Sequence, residues 1–174
     1  LHHEFGHTMI YVTHDQTEAL TFADKVVVMY DGRVVQMGTP QELFETPQHT
    51  FVGYFIGSPG MNVLDASVTG DKAVIDGTEI SLGQGFGTPT GKVEVGVRPE
   101  FTTLASGDVG LPVTVKRVED VGRHKIVRTD FKGTAINVIA EEGAEISPDM
   151  NRIVFDPAGV NVYSNSWRVA PQGA

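Results

Sequence analysis

The sequence predicts a mainly β protein, in which a β-barrel or β-sandwich domain follows a shorter α/β segment. Before residue 57, apolar runs alternate with helix-start signals. After residue 60, short apolar runs alternate with turn residues, which is the spacing of an all-β barrel or sandwich. The run GSPG at residues 57–60 consists of turn and linker residues. We therefore expect two domains, residues 1–57 and residues 58–174.

Composition and charge exclude several classes of protein. The chain has 174 residues, 40% of them hydrophobic and 20% charged, as in ordinary globular proteins. Its net charge of −9 argues against a nucleic-acid surface, which needs clustered lysine and arginine. No apolar run approaches the roughly 18 residues that span a bilayer, so direct membrane insertion is not expected. The absence of cysteine excludes disulfides and thiol chemistry.

One histidine lies at a position suited to a ligand site. Residues 9–12 are apolar and read as a buried strand, and Asp15 with Glu18 has the spacing of a capping box, so a helix should begin near Gln16. His14 then lies between a strand end and a helix N-terminus, where α/β proteins bind ligands and anions. Position alone leaves a second interpretation open, a loop histidine bonded to a neighbouring carbonyl.

The remainder of the first segment has strong local signals. Residues 25–30 and 33–37 should be strands joined by the Asp-Gly hairpin turn at 31–32. Thr39, Pro40 and Glu42 predict the start of a helix. Thr46-Pro47 predicts the start of another, with an apolar face over residues 51–56 and an end at Gly57.

The second segment should consist of strands separated by turns. The expected strands are residues 63–68, 73–76, 78–82, 92–98, 111–119, 125–129, 134–139 and 152–155. Glycine-rich residues 83–92 match neither phosphate-binding glycine motif and lead into a strand, so they should form a loop.

The start of the chain matches the zinc-protease signature H-E-x-x-H at His3 and His7. Gly6 should end the helix between the two histidines, and no third ligand follows at the extended-motif spacing. We therefore expect a chance match, no metal site, and no protease activity. Leu1 and the helix-like start predict that the chain is part of a longer protein.

Three consecutive stretches carry a family resemblance: VTHDQTEAL from residue 12, ADKVVVMYDGRVVQMGTPQEL from residue 23 and PQHTFVGYFIGSPGMN from residue 47. They resemble the C-terminal end of the ATP-binding subunit of an ABC importer, of the carbohydrate and glycerol-phosphate branch typified by the maltose system. GVRPE at residues 96–100 and VEDVG at residues 118–122 resemble the appended transport-associated OB (TOBE) regulatory domain. The resemblance implies an OB-like β-barrel or sandwich after an α/β remnant of the nucleotide-binding domain.

The resemblance also implies a site and partners. His14 would be the switch histidine that contacts the γ-phosphate of ATP, with Asp15 and Glu18 as helix-capping neighbours. ATP and Mg²⁺ would be used by the intact protein, but the family's phosphate loop lies upstream, so this chain alone should be inactive. A second copy and membrane-spanning permease subunits would be partners at the cytoplasmic face of the inner membrane. The alternative is a non-catalytic regulatory or dimerisation module that binds a partner protein or effector.

Overall fold

A computed structural model describes residues 8–173 and confirms the mainly β prediction, with 43% strand and 15% helix. The predicted helix end at Gly6 and the H-E-x-x-H match lie outside the described residues. The helices are α1 Gln16–Phe22, α2 Pro40–Glu45 and α3 Thr50–Phe55, with 3₁₀ turns at Pro99–Phe101 and Pro157–Gly159.

The strands follow most of the predicted positions. They are β1 Val26–Tyr30, β2 Arg33–Gly38, β3 Asn62–Asp65, β4 Ser67–Thr69, β5 Lys72–Ile75, β6 Thr78–Ser81, β7 Val93–Val97, β8 Thr102–Ala105, β9 Leu111–Pro112, β10 Thr114–Asp120, β11 His124–Phe131, β12 Thr134–Glu141, β13 Arg152–Phe155, β14 Val160–Ser164 and β15 Trp167–Arg168. Sequence patterns did not predict β8, β14 and β15.

The hairpin and the second helix form as their local sequence predicts. Strands β1 and β2 pair antiparallel, and Asp31 and Gly32 have φ of 48° and 70°, as a tight hairpin turn requires. At α2, the Thr39 hydroxyl accepts from the Glu42 N–H while the Glu42 carboxylate accepts from the Thr39 N–H. The predicted capping box is therefore confirmed.

The predicted start of α3 at Thr46-Pro47 is wrong. The Thr46 N–H and hydroxyl both donate to the Glu42 carbonyl, so this residue ends α2. The next helix begins at Thr50, and His49 caps it because its Nδ1 accepts from the Phe51 N–H at 3.1 Å.

The strands after residue 60 surround one apolar core. They form a four-stranded sheet in the order β15-β14-β7-β3 and three three-stranded sheets, β8-β13-β9, β10-β11-β12 and β4-β5-β6. Across the part of the chain that the structure describes, these sheets do not join into a closed barrel. Asn62 ties two of them together, because its side chain bonds both the N–H and the carbonyl of Asn137 at 2.8 and 2.9 Å.

A second, smaller core lies in the first segment and is joined to the β core by Arg98. The side chain of Arg98 is 4% exposed. It donates to carbonyls at the ends of α2 and α3: Leu43 (3.4 Å), Phe44 (2.6 Å), Gly53 (3.3 Å) and Ile56 (2.5 Å). Helix C-termini favour cations, and the guanidinium also lies 4.0 Å from the Phe44 ring centre. Burial lowers the pKa of Arg98 to about 10, so the group stays charged at neutral pH.

The C-terminal hairpin makes a second set of contacts with the first segment. The buried Tyr163 hydroxyl donates to the Pro47 carbonyl at 2.9 Å, and burial raises the pKa of that phenol. The Thr50 N–H donates to the Ser166 carbonyl at 2.9 Å. The Trp167 ring meets His49 edge-on, with ring centres 4.8 Å apart. The two cores are thus joined by two sets of contacts.

Replacing Arg98 by lysine should destabilise the fold by about 3 kcal/mol, because a lysine cannot serve the separate carbonyls of two helices and buried acceptors would lose their donors. Urea unfolding of the 174-residue chain measures this. The exposed Arg123→Lys variant is the matched control and should change stability by less than about 0.5 kcal/mol. Equal stability of the two variants would contradict the role of Arg98.

The cap at His49 should make stability depend on pH. Burial lowers the pKa of His49, and only the neutral ring accepts at Nδ1. A histidine pKa that is lower in the folded state gives stability that is present above the unfolded value of about 6.5 and is lost as the pH falls through the folded value. The urea midpoint should therefore fall on acidification from about pH 7.5, and the effect should shrink in His49→Asn, because asparagine caps at either pH. An unchanged pH profile in that variant would contradict this.

Candidate functional site

The predicted site histidine lies in an exposed bend directly before α1. Asp15, the next residue, is the N-cap of α1 in extended backbone conformation, and Gln16 begins the helix. The imidazole of His14 is solvent-exposed. An imidazole in this position can donate a hydrogen bond to an anionic oxygen that approaches from solvent.

Asp15 holds the backbone that follows His14. Its Oδ1 accepts from the N–H groups of Thr17 at 2.7 Å and Glu18 at 3.3 Å. Its own N–H donates to the Thr13 hydroxyl at 3.0 Å. The carboxylate is therefore used in capping the helix.

Glu18 does not complete the capping box. Its Oε2 accepts from the hydroxyls of Thr13 at 3.0 Å and Tyr11 at 3.2 Å, and the bond from Tyr11 raises the pKa of that phenol. The Asp15 N–H, which a capping box would offer to Glu18, is taken by Thr13. Glu18 instead connects Tyr11 and Thr13, which precede His14, to α1.

The predicted strand at residues 9–12 is wrong. This run is not in a strand, and all four side chains are at least 72% exposed. A strand needs a neighbouring strand to satisfy its backbone, and among residues 8–173 none lies beside this run. His14 therefore precedes a helix as predicted but does not follow a sheet strand here.

Gln16 makes a contact that sequence reasoning missed. Its side-chain amide bonds both backbone groups of Gly57: Oε1 accepts from the Gly57 N–H at 2.8 Å, and Nε2 donates to the Gly57 carbonyl at 3.3 Å. No local pattern signals this contact, because the partners are 41 positions apart. The contact ties the start of α1 to the linker between the two segments.

A cleft of about 380 Å³ opens beside this contact. Its walls include Gln16, the 57–60 linker and Arg128 of β11. The Arg128 guanidinium already bonds the Asn137 side chain at 2.9 Å and the Glu119 carboxylate at 3.2 Å, and its bonds lower the pKa of Glu119. This cation is therefore engaged within the β domain.

The glycine-rich residues 83–92 form a loop, as predicted. Phe86 is buried in the β core, and Gly91 and Lys92 lead into β7. No helix N-terminus follows the loop, so it does not have the form of a phosphate cradle. Within residues 8–173, no cluster of three histidine or carboxylate side chains is arranged to hold a metal ion. No helix in the described range is long and apolar enough to cross a membrane.

Comparison with known proteins identifies sequence relatives of this chain. Residues 57–101 match the family model described as the MalK OB fold domain. The chain is 38% identical to the sulfoquinovosyl glycerol transport ATP-binding protein SmoE of Agrobacterium fabrum, over 94% of this chain and 48% of that protein. It is 36% identical to the sn-glycerol-3-phosphate import ATP-binding protein UgpC 1 of Rhizobium johnstonii, over 94% of this chain and 46% of the relative.

The OB-domain match begins in the linker after α3 and lies in the β segment, which follows the helix that Asp15 caps. The relatives are ATP-binding subunits of ABC importers for sugars and glycerol phosphates, and the chain matches their C-terminal portion. It spans about half the length of the relatives it matches.

Substituting Asp15 by alanine should loosen the segment that carries His14. Loss of an N-cap costs about 1 kcal/mol, so amide exchange at Thr17 and Glu18 should accelerate about fivefold, as measured by NMR on the 174-residue chain. Asp15→Asn should retain the cap, and Asp24→Ala just beyond α1 is the control. Equal exchange in Asp15→Ala and Asp24→Ala would contradict the capping role.

Proposed function

We propose that the chain is the C-terminal part of a subunit that hydrolyses ATP to drive uptake of a sugar, polyol or glycerol phosphate. The observation that carries this proposal is the match over 94% of the chain to importer ATP-binding subunits. The names of those relatives, which refer to sulfoquinovosyl glycerol and glycerol 3-phosphate, support this substrate class. The transported molecule itself would be selected by other subunits. Residues 1–57 would be the end of the nucleotide-binding domain and residues 58–174 the regulatory domain.

In the intact protein, His14 would donate a hydrogen bond to the γ-phosphate of ATP and help to align the attacking water. Phosphoryl transfer depends mainly on such positioning and on charge stabilisation. The exposed imidazole, next to a backbone that Asp15 and Glu18 fasten, supports this role. Asp15 and Glu18 would act on His14 through the loop conformation, since their carboxylates are used in local hydrogen bonds.

ATP and Mg²⁺ would be held mainly by residues that this sequence does not contain. The Gly-Lys pair at residues 91–92 is followed by valine, so the motif of a phosphate loop does not occur in these 174 residues. The chain alone should therefore not hydrolyse ATP. The intact subunit would pair with a second copy, dock on membrane-spanning permease subunits, and lie peripherally at the cytoplasmic face of the inner membrane.

The second candidate is a regulatory module that pairs subunits or receives a partner protein or effector. The OB-domain match at residues 57–101 and the separate apolar core of the β segment favour it. In the whole subunit the two functions are compatible, since one would lie in each segment.

The decisive experiment is ATP hydrolysis by the full-length subunit with His14→Ala. The variant should lose at least about a hundredfold in kcat, because a donor to the reacting phosphate is removed, while nucleotide binding persists. His124→Ala, a histidine of β11, is the matched control, and the 174-residue chain should be silent. Wild-type turnover in His14→Ala would contradict the catalytic role.

A further inference from the structure

The amide of Gln16 connects the site histidine to the β domain. Gln16 is the first residue of α1, two positions after His14, and its side chain is half-buried. Both polar atoms of its amide are bonded to the backbone of Gly57. A glutamine that bonds an N–H and a carbonyl of the same residue fixes both distance and orientation.

Gly57 is itself fixed against the β domain. It has φ of +111°, and a Cβ atom there would lie 3.0 Å from Arg98 Nη1 and 3.1 Å from the Pro59 carbonyl oxygen. The preceding carbonyl, that of Ile56, accepts from Arg98 Nη1 at 2.5 Å. Arg98 directly follows β7, so Gly57 is held by the four-stranded sheet.

Hydrogen bonds also join the residues on either side of His14 to α1. Asp15 caps α1 and bonds Thr13, while Glu18 bonds Thr13 from within the helix. These bonds join Thr13, Asp15 and Glu18 to one another, and His14 lies between Thr13 and Asp15 in the sequence. A displacement of the first turn of α1 relative to the linker would therefore move His14 with it.

We propose that Gln16 is a positioning residue for His14, through which the attachment of the β domain at Gly57 and Arg98 sets where the histidine lies. This inference rests on the proposed function, because it concerns the same site. The regulatory domain would then affect hydrolysis through the geometry of the histidine loop as well as through any partner it binds.

Catalytic geometry is sensitive to displacements of this kind. A misplacement of about 1 Å caused by a change remote from the chemistry can reduce the rate about a hundredfold. Gln16→Ala removes both bonds to Gly57 and leaves His14, Asp15 and the cap intact. Its effect should appear in kcat, since the groups that hold most of the nucleotide are untouched.

The test combines two measurements. In the 174-residue chain, Gln16→Ala should accelerate amide exchange at Gly57, and thermal melting should verify that the fold is retained. In the full-length subunit, kcat and KM for ATP are measured for Gln16→Ala, Gln16→Asn, His14→Ala and the double variant Gln16→Ala with His14→Ala. Gln41→Ala is the matched control, because Gln41 is an exposed helical glutamine whose side chain bonds Glu45 within the same helix.

We expect Gln16→Ala to lower kcat at least about tenfold with KM nearly unchanged. Asparagine, whose amide is one methylene short of Gly57, should behave similarly. The double variant should be no slower than His14→Ala, because a positioning residue has nothing left to position.

Three results would overturn the proposal. If His14→Ala is slow while Gln16→Ala stays within about twofold of wild type, the proposed function stands and the positioning role fails. If the two losses multiply in the double variant, Gln16 acts independently of His14. If His14→Ala hydrolyses ATP normally, the proposed catalytic role of His14 fails, and the positioning role of Gln16 fails with it.

Discussion

The hydrogen bonds of one buried guanidinium determine how the two segments of this chain sit together. Arg98 is a charged residue in a 4% exposed position, and no carboxylate among residues 8–173 is bonded to it. Carbonyls from the ends of two short helices take the place of a counter-ion. Helices of six residues have little stability of their own, so α2 and α3 depend on this external donor. The β domain therefore supplies the group that completes the fold of the segment before it.

Features coded by neighbouring residues could be predicted from the sequence. The Asp31-Gly32 turn specifies the β1–β2 hairpin because both residues accept positive φ, and Thr39, Pro40 and Glu42 specify the start of α2 because their mutual bonds are local. The position of His14 before a helix was predictable for the same reason. The start of α3 was misplaced because Thr46-Pro47 resembles a helix start, whereas Thr46 is already used in ending α2.

Features that depend on distant partners could not be predicted. The apolar residues 9–12 indicate burial, but whether such a run becomes a strand depends on a neighbouring strand rather than on its own composition. Gln16 bonds Gly57, Arg98 bonds Leu43 and Tyr163 bonds Pro47, with sequence separations of 41, 55 and 116 residues. Rules based on the spacing of neighbouring residues do not cover such separations. The family resemblance supplied the proposed role of His14, whereas the contacts that fix its surroundings came from the structure.

The contact between Trp167 and His49 has a practical consequence. Trp167 is the one tryptophan of the sequence, and it lies at the junction of the two segments rather than within either core. Trp167 is 49% exposed, and its ring contacts the imidazole that caps α3. The tryptophan fluorescence of this chain therefore originates at this junction. Separation of the two segments would alter the emission even if each core stayed folded, so the chain carries its own optical probe of their association.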